Sequence, residues 1–170
     1  MIYDRQIIDA LEKLRPAPWK GIVFRHMFGN FPPERENVRG ARWNPPETPA
    51  IYASLNRETA IAEADYYVNL QPLRPRAVRK IYRIQISLNS VLDLSDWSNL
   101  DLLGLEKDSF ASDDHINCQL VGGAVEWLRH DGMLVPSARA SGTNLVVFPN
   151  RQKSDYEFKP LDFEQLEDQR

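Results

Sequence analysis

Apolar residues change their spacing several times along the chain, and each change marks an element. Between Asp4 and Leu14, the residues Ile7, Ile8, Leu11 and Leu14 recur at helical spacing and Pro16 and Pro18 close the segment, which predicts an amphipathic helix packed on the domain. Gly21-Ile22-Val23-Phe24-Arg25 is rich in branched and aromatic side chains and predicts a short strand. From Gly29 to Pro49 no period survives, and an irregular connection of that length in a compact domain is usually functional or mobile. Ala50-Ile51-Tyr52-Ala53 predicts a second strand. Asn56 then stands where it can cap a helix whose Ala60, Ile61, Ala64 and Val68 lie close to one face and whose interior carries Glu63.

In the second half, Tyr82, Ile84, Ile86 and Leu88 alternate with Arg83, Gln85 and Ser87, which predicts a half-buried strand over Val78–Leu88 with its polar face toward solvent or a rim. Val91-Leu92-Asp93-Leu94 suggests a further short strand. Asp113 or Asp114 is placed to open a helix through Ile116, Leu120, Ala124 and Leu128 that ends at Gly132, and Gly122-Gly123 within it implies close packing. Met133–Pro136 and Leu145–Phe148 predict two strands joined by the small, polar loop Ser137–Thr143. The acidic end after Pro160 is expected to fray. Short strands interspersed with helices, without strict alternation, give the α+β class. The expected layout is an N-terminal helix (1–20), a main domain (21–150) and a C-terminal strand and tail (151–170).

Composition narrows this picture. A chain of 170 residues, 42% of them hydrophobic, can bury one substantial core and is too short for two comfortable domains. Twenty-one Lys and Arg against 24 Asp and Glu give a net charge of -3, so nothing in the overall field attracts nucleic acid, and no direct nucleic-acid binding is expected. The N-terminus lacks a basic, apolar secretory signal, and no segment approaches the roughly 20 apolar residues that span a bilayer, so a cytoplasmic chain without a membrane partner is expected. Cys118 is the single cysteine, which leaves no internal disulfide and fits a buried small hydrophobe. His26, His115 and His130 form no ligand pair at recognisable spacing, so the expectation is a protein without metal or prosthetic group. Neither a Gly-x-Gly-x-x-Gly fingerprint nor a Gly-Lys phosphate loop occurs. Any nucleotide must be held by other means.

Three polar residues lie at the margins of apolar elements: Arg25 after the first strand, Glu63 in a helix and Ser137 after a strand. Taken singly, they read as a surface charge, a solvated helix face and a turn. The reading changes at Gly40-Ala41-Arg42-Trp43-Asn44-Pro45-Pro46, which precedes Ala50-Ile51-Tyr52-Ala53 and then Thr59-Ala60-Ile61-Ala62-Glu63. This run resembles the RES family, whose pattern couples a Gly-Gly-Arg-Trp-Asn-Pro block to a tyrosine-bearing strand and a helix with Thr-Ala-x-x-Glu. Phe24-Arg25, Pro136-Ser137-Ala138-Arg139 and Asn144-Leu145-Val146-Val147-Phe148-Pro149 are similar to the family's other marks, in the family's order. The resemblance covers most of the chain, from Phe24 to Asn150. One departure is Ala41 in place of a second glycine, so the backbone there cannot require a positive φ.

The resemblance implies an ADP-ribosyltransferase-like fold, a mixed sheet with flanking helices, and a toxin of a toxin–antitoxin pair that binds NAD+ as substrate and cleaves its nicotinamide–ribose bond by hydrolysis or phosphorolysis, as a glycohydrolase or a phosphorylase. Departure of nicotinamide leaves positive charge on the ribose, so the reaction calls for a nearby carboxylate, and Glu63 is the candidate. Arg25 and Arg42 are candidate clamps for phosphate and ribose, since guanidinium offers a fork of donors. Trp43 and Tyr52 offer flat faces for the nicotinamide, Ser137 a hydroxyl for the riboside end, and Asn144 a further polar contact in the same cleft. The partner implied is an Xre-type helix-turn-helix antitoxin that covers the cleft, and a homodimer is left open. Two other readings remain at this point: a protein ADP-ribosyltransferase of the same family, and a non-catalytic binding module in which Glu63 is a surface residue.

Overall fold

The computed structural model of the chain describes residues 3–149 and 156–167. Along it run α1 (Arg5–Glu12), β1 (Ala17–Phe28), β2 (Ile51–Ser54), α2 (Arg57–Leu70), β3 (Arg79–Asp93), α3 (Trp97–Leu102), α4 (Ile116–Trp127), β4 (Gly132–Pro136), β5 (Thr143–Val147) and β6 (Glu157–Leu166). This is the α+β class expected. The strands form one sheet in the order β1-β2-β5-β4-β3-β6, and a further antiparallel pairing of β1 with β3 closes the first five into a ring. Only β3 and β4 run parallel.

Side-chain alternation assigns the two faces of β2, β4 and β5 to two different cores. Ile51, Ala53, Leu145 and Val147 join Val23, Ile84, Ile86, Leu88 and Val91 on one face. Met133, Val135, Val146 and Phe148 face the other way, onto Leu11, Trp43, Val121 and Val125. Burial on both sides explains why β4 and β5 read as unbroken apolar runs whereas the exposed portion of β3 alternates.

Several boundaries differ from expectation, each for a local reason. β1 begins at Ala17 and so contains Pro18, tolerated because the β1–β3 register shifts between Ala17 and Trp19 and leaves that amide position outside the regular ladder. The two strands expected over 78–88 and 91–94 are one. β3 pairs with β6 over Arg79–Ser87 and with β4 over Val91–Asp93. Across the changeover, Asp131 Oδ2 accepts hydrogen bonds from the amides of Asn89 and Ser90, both 3.0 Å long, where a neighbouring strand would otherwise supply a carbonyl. A strand held partly by a side chain has no periodic signature.

The helix predicted up to Gly132 stops at Trp127, and Arg129 takes the left-handed conformation (φ 67°) often left to glycine. Its start also shifts by one residue: His115 is the N-cap and Asp114 Oδ1 accepts from Ile116 N. α3, too short to display a period, was not predicted; Asp96 caps it by accepting from Ser98 N. The acidic end does not fray over Glu157–Leu166 but pairs with β3, and Asp162 and Glu164 bind Arg83 and Arg57. The last three residues expected in the tail, like 150–155, lie outside the described residues.

Gly122 shows how closely α4 is seated. A Cβ there would stand 1.7 Å from the carbonyl oxygen of Trp43, which backbone on both sides prevents from relaxing. Gly122→Ala is therefore expected to cost about 2 kcal/mol or more by overpacking. Gly104→Ala, at φ +78° with open space around it, should cost only about 1 kcal/mol of backbone strain. Urea unfolding of the two variants checks the order; equal midpoints would show that α4 has room to shift.

Candidate active site

The site begins with strand register. Val135, Asn144 and Ser54 lie side by side across β4, β5 and β2. By alternation, Asn144 shares the face of Val146, Ser54 that of Tyr52, and Ser137 that of Val135, so polar groups appear on one face where the apolar strands run out. α2 lies against this end. Asn56 caps the helix by accepting from Thr59 N at 2.8 Å, and Gly142 lets the 137–143 loop press onto that first turn, since a Cβ there would sit 2.0 Å from Thr59 Oγ1.

Glu63, on the next turn, is thereby brought to the strand ends. Its Oε1 accepts three hydrogen bonds: from Ser137 Oγ (2.6 Å), Asn144 Nδ2 (2.9 Å) and Ala138 N (3.2 Å). Its other oxygen, Oε2, has no hydrogen-bond partner among the described residues. Both donors are themselves oriented. Ser137 Oγ accepts from the amides of Arg139 and Ala140, and Asn144 Oδ1 accepts from Ser54 Oγ at 2.7 Å. One carboxylate oxygen is thus fixed by three donors.

A cleft of about 520 Å³ opens over this network, lined by Arg25, Arg42, Trp43, Tyr52, Glu63 and Asn144 among others. That volume lies within the range of small-molecule sites. Ser137 contributes through Glu63, while its neighbours Pro136 and Ala138 line the wall. The residues singled out from sequence therefore surround one cavity. They do not all play equal parts in it. Trp43 is 2% exposed and packs toward Phe110, so little of its indole is offered to a ligand. The Tyr52 hydroxyl accepts from Trp43 N (3.0 Å) and donates to Asn44 Oδ1 (2.6 Å), and burial holds its pKa far above the ordinary value, which keeps the donor proton in place.

Asn44 was quoted in the sequence only as part of a block. It is the fully buried hub of the 37–50 connection, its Nδ2 donating to the carbonyls of Asn37 and Thr48. Gly40 takes φ +94° beside it, whereas Ala41, the departure from the Gly-Gly pattern, keeps an ordinary backbone. Ser54 was also missed, a small polar residue at a strand end giving no signal of its own.

The two arginines present different chemistry. Arg25 donates to the carbonyls of Tyr52 and Arg35 and from Nε to Met27 Sδ. Burial lowers its pKa to about 10, against the pull of Glu34, so it remains cationic at neutral pH. Arg42, 6% exposed, donates from Nη1 to Phe110 O and Ser112 O, but its Nη2 is buried without a partner. Two positive groups whose hydrogen bonds go to neutral acceptors leave the cleft suited to an anion. Among the described residues, no group of three His, Cys, Asp or Glu side chains is placed to hold a metal ion.

The profile of the RES domain matches residues 16–165, and the chain belongs to the RES domain family. Among characterised relatives, it is similar to the NAD(+) phosphorylase MbcT of Mycobacterium tuberculosis and that of Mycobacterium bovis. Each is 32% identical over 159 residues, covering 89% of this chain and 84% of the relative. Among solved structures it is similar to a chain of the M. tuberculosis MbcT–MbcA toxin–antitoxin complex. That likeness has a TM-score of 0.85 at 25% identity and spans 96% of this chain and 93% of the other.

His26, on the cleft wall, accepts at Nε2 from Arg79 Nε (3.0 Å), and Arg79 in turn pairs with Asp65 of α2 at 2.6 Å. Burial first, and then Arg79, lower the His26 pKa from 6.5 to about 4, with Asp65 opposing. Burial lowers His115 and His130 in the same direction. Between pH 6.5 and about 4 the unfolded chain therefore binds more protons than the native one. Stability should be full above that window and fall as pH drops through it. Urea unfolding at a series of pH values checks this, and His26→Gln, which can still accept from Arg79, should flatten the slope. An unchanged slope would show that His26 does not titrate in this way.

Proposed function

We propose that this chain is the toxin of a toxin–antitoxin pair and that it cleaves the nicotinamide–ribose bond of NAD+ with phosphate as acceptor. The observation that carries this reading is the Glu63 carboxylate, held by three donors at one oxygen and open at the other, in a cleft that also contains Arg25 and Arg42. In the step proposed, the bond between C1″ of the nicotinamide-bearing ribose and the pyridinium nitrogen breaks. Its electron pair stays on nicotinamide, which leaves neutral, and an oxygen of phosphate forms the new bond to C1″. Positive charge develops on the ribose while this happens, and a fixed anion beside it stabilises the transition state more than the ground state. A carboxylate already oriented by Ser137 and Asn144 needs no reorganisation as that charge appears.

Arg25 and Arg42 are assigned to the diphosphate and ribose of the dinucleotide, Tyr52 to the wall against which it lies, Trp43 to the core behind that wall, and Asn144 and Ser137 to orientation of Glu63. Phosphate as acceptor is supported by the relatives named NAD(+) phosphorylase. NAD+ enters as substrate, and the route uses no prosthetic group. The antitoxin reading is supported by the related toxin–antitoxin complex and by the half-exposed Phe31 and Val38 at the rim of the cleft, an apolar surface that a covering chain would bury. NAD+ as substrate calls for a compartment that holds it, such as the cytoplasm. Among the described residues, no helix is long and apolar enough to cross a membrane.

Glu63→Gln keeps the shape and the acceptor oxygen but removes the charge. It should lower kcat by about 10²- to 10³-fold with little change in KM, and lower the thermal midpoint by a few degrees as three charge-assisted bonds become neutral ones. The measurement is NAD+ consumption with product identification, with and without phosphate. ADP-ribose 1″-phosphate is the product expected, while free ADP-ribose would point to water and label on protein to transfer onto a side chain. Full turnover by Glu63→Gln would remove the carboxylate from the mechanism.

A further inference from the structure

Among the described residues, five buried side-chain nitrogen or oxygen atoms lack a hydrogen-bond partner, and four of them lie on Arg42 (Nη2), Arg139 (Nε and Nη2) and His115 (Nε2). The three side chains meet at one short segment between α3 and α4. Arg42 Nη1 donates to the carbonyls of Phe110 and Ser112, Arg139 Nη1 donates to the carbonyl between them, that of Ala111, at 2.9 Å, and His115 closes the segment. Burial, then Arg42 and Arg139, lower the His115 pKa, with Asp113 and Asp114 opposing, as charges close to the imidazole would. The Arg139 guanidinium lies over the Tyr66 ring at 3.3 Å, which fixes its plane.

The negative charge that answers this concentration of donors, on Asp113 and Asp114, sits at exposed positions of the same segment. Asp113 stands 3.6 Å from Arg139 Nη2, beyond hydrogen-bond distance, with its side chain 70% exposed. The remaining acceptors are neutral carbonyls on residues 106–114, a strap exposed at every position except Phe110. Such carbonyls are weaker partners for guanidinium than an oxyanion, and a strap with a single buried anchor can give way to one.

We propose that Arg42, Arg139 and His115 form an oxyanion site for a tetrahedral phosphate group beside the cleft, which the carbonyls of the 106–114 strap close in this structure. Arg42 is shared with the cleft, so a phosphate here adjoins the bound dinucleotide. As part of that cleft the site rests on the NAD+-cleaving reading, but phosphate binding is measured without NAD+, so either can fail alone.

The experiment is calorimetric titration of inorganic phosphate into the purified chain, against chloride at matched ionic strength, with hydrogen exchange followed on residues 106–114. Saturable binding with altered exchange in the strap is expected, and Arg139→Gln should weaken phosphate affinity tenfold or more. His115→Gln, at a half-buried position, should weaken it less and serves if the first variant does not fold. Repeating the titration with NAD+ present identifies the source of the group: simultaneous binding assigns the site to free phosphate, and competition assigns it to the diphosphate of the dinucleotide. No saturable binding, or wild-type affinity in the folded variants, overturns the proposal.

Discussion

The arrangement of this protein turns on one carboxylate oxygen. Glu63 Oε1 gathers donors from the end of β4, from the loop that follows it and from the start of β5, and so fastens α2 to a sheet whose apolar positions have run out at that point. A partly buried carboxylate with charge-assisted hydrogen bonds holds its neighbours more firmly than neutral polar contacts would. The same bonds that join helix to sheet fix a carboxylate that lines the cleft. Structural and chemical roles are therefore hard to separate at this residue, and an isosteric replacement tells more than a truncation.

β1, β2 and α2 form much of the cleft, and the rest of its wall is an irregular segment. The 37–50 connection depends on Asn44, whose amide and carbonyl oxygen tie together Asn37, Thr48 and Tyr52, and on Gly122, which lets α4 come against the carbonyl of Trp43. An irregular segment can only be buried if its backbone polar groups find partners, and here Asn44 and Asn37 each satisfy two of them with their side chains, while Tyr52, Gln119 and bonds within the segment serve others. This is a sufficient reason for Arg-Trp-Asn-Pro to behave as a block. Arginine faces the cleft, tryptophan fills the core and asparagine holds the turn.

Much of this was legible in the chain, and what was not has identifiable causes. Helical spacing located α1, α2 and most of α4, and alternation located the first part of β3, because one face of each is buried. The continuation of β3 was hidden by Asn89 and Ser90, which are held by Asp131 from 41 or more residues away. Glu63 and Ser137 are 74 positions apart, and no periodicity links residues at that distance; only the resemblance to a family brought them together. Asn44, Ser54 and the partnership of Arg139 with Tyr66 escaped notice because their roles depend on tertiary neighbours. A C-terminal strand is expected from the sequence, but its pairing with β3 is not, since its acidic character reads as solvated until Arg57 and Arg83 are seen opposite it.

The closed ring of five strands has a mechanical consequence. In an open sheet, neighbouring strands can slide or splay to admit a guest, but a sheet hydrogen-bonded back onto itself through β1 and β3 resists both motions. Whatever room a ligand needs must be made above the strand ends, by the loops and by α2. The barrel half of the molecule thus acts as an anvil, and adaptation is confined to the parts that carry polar side chains.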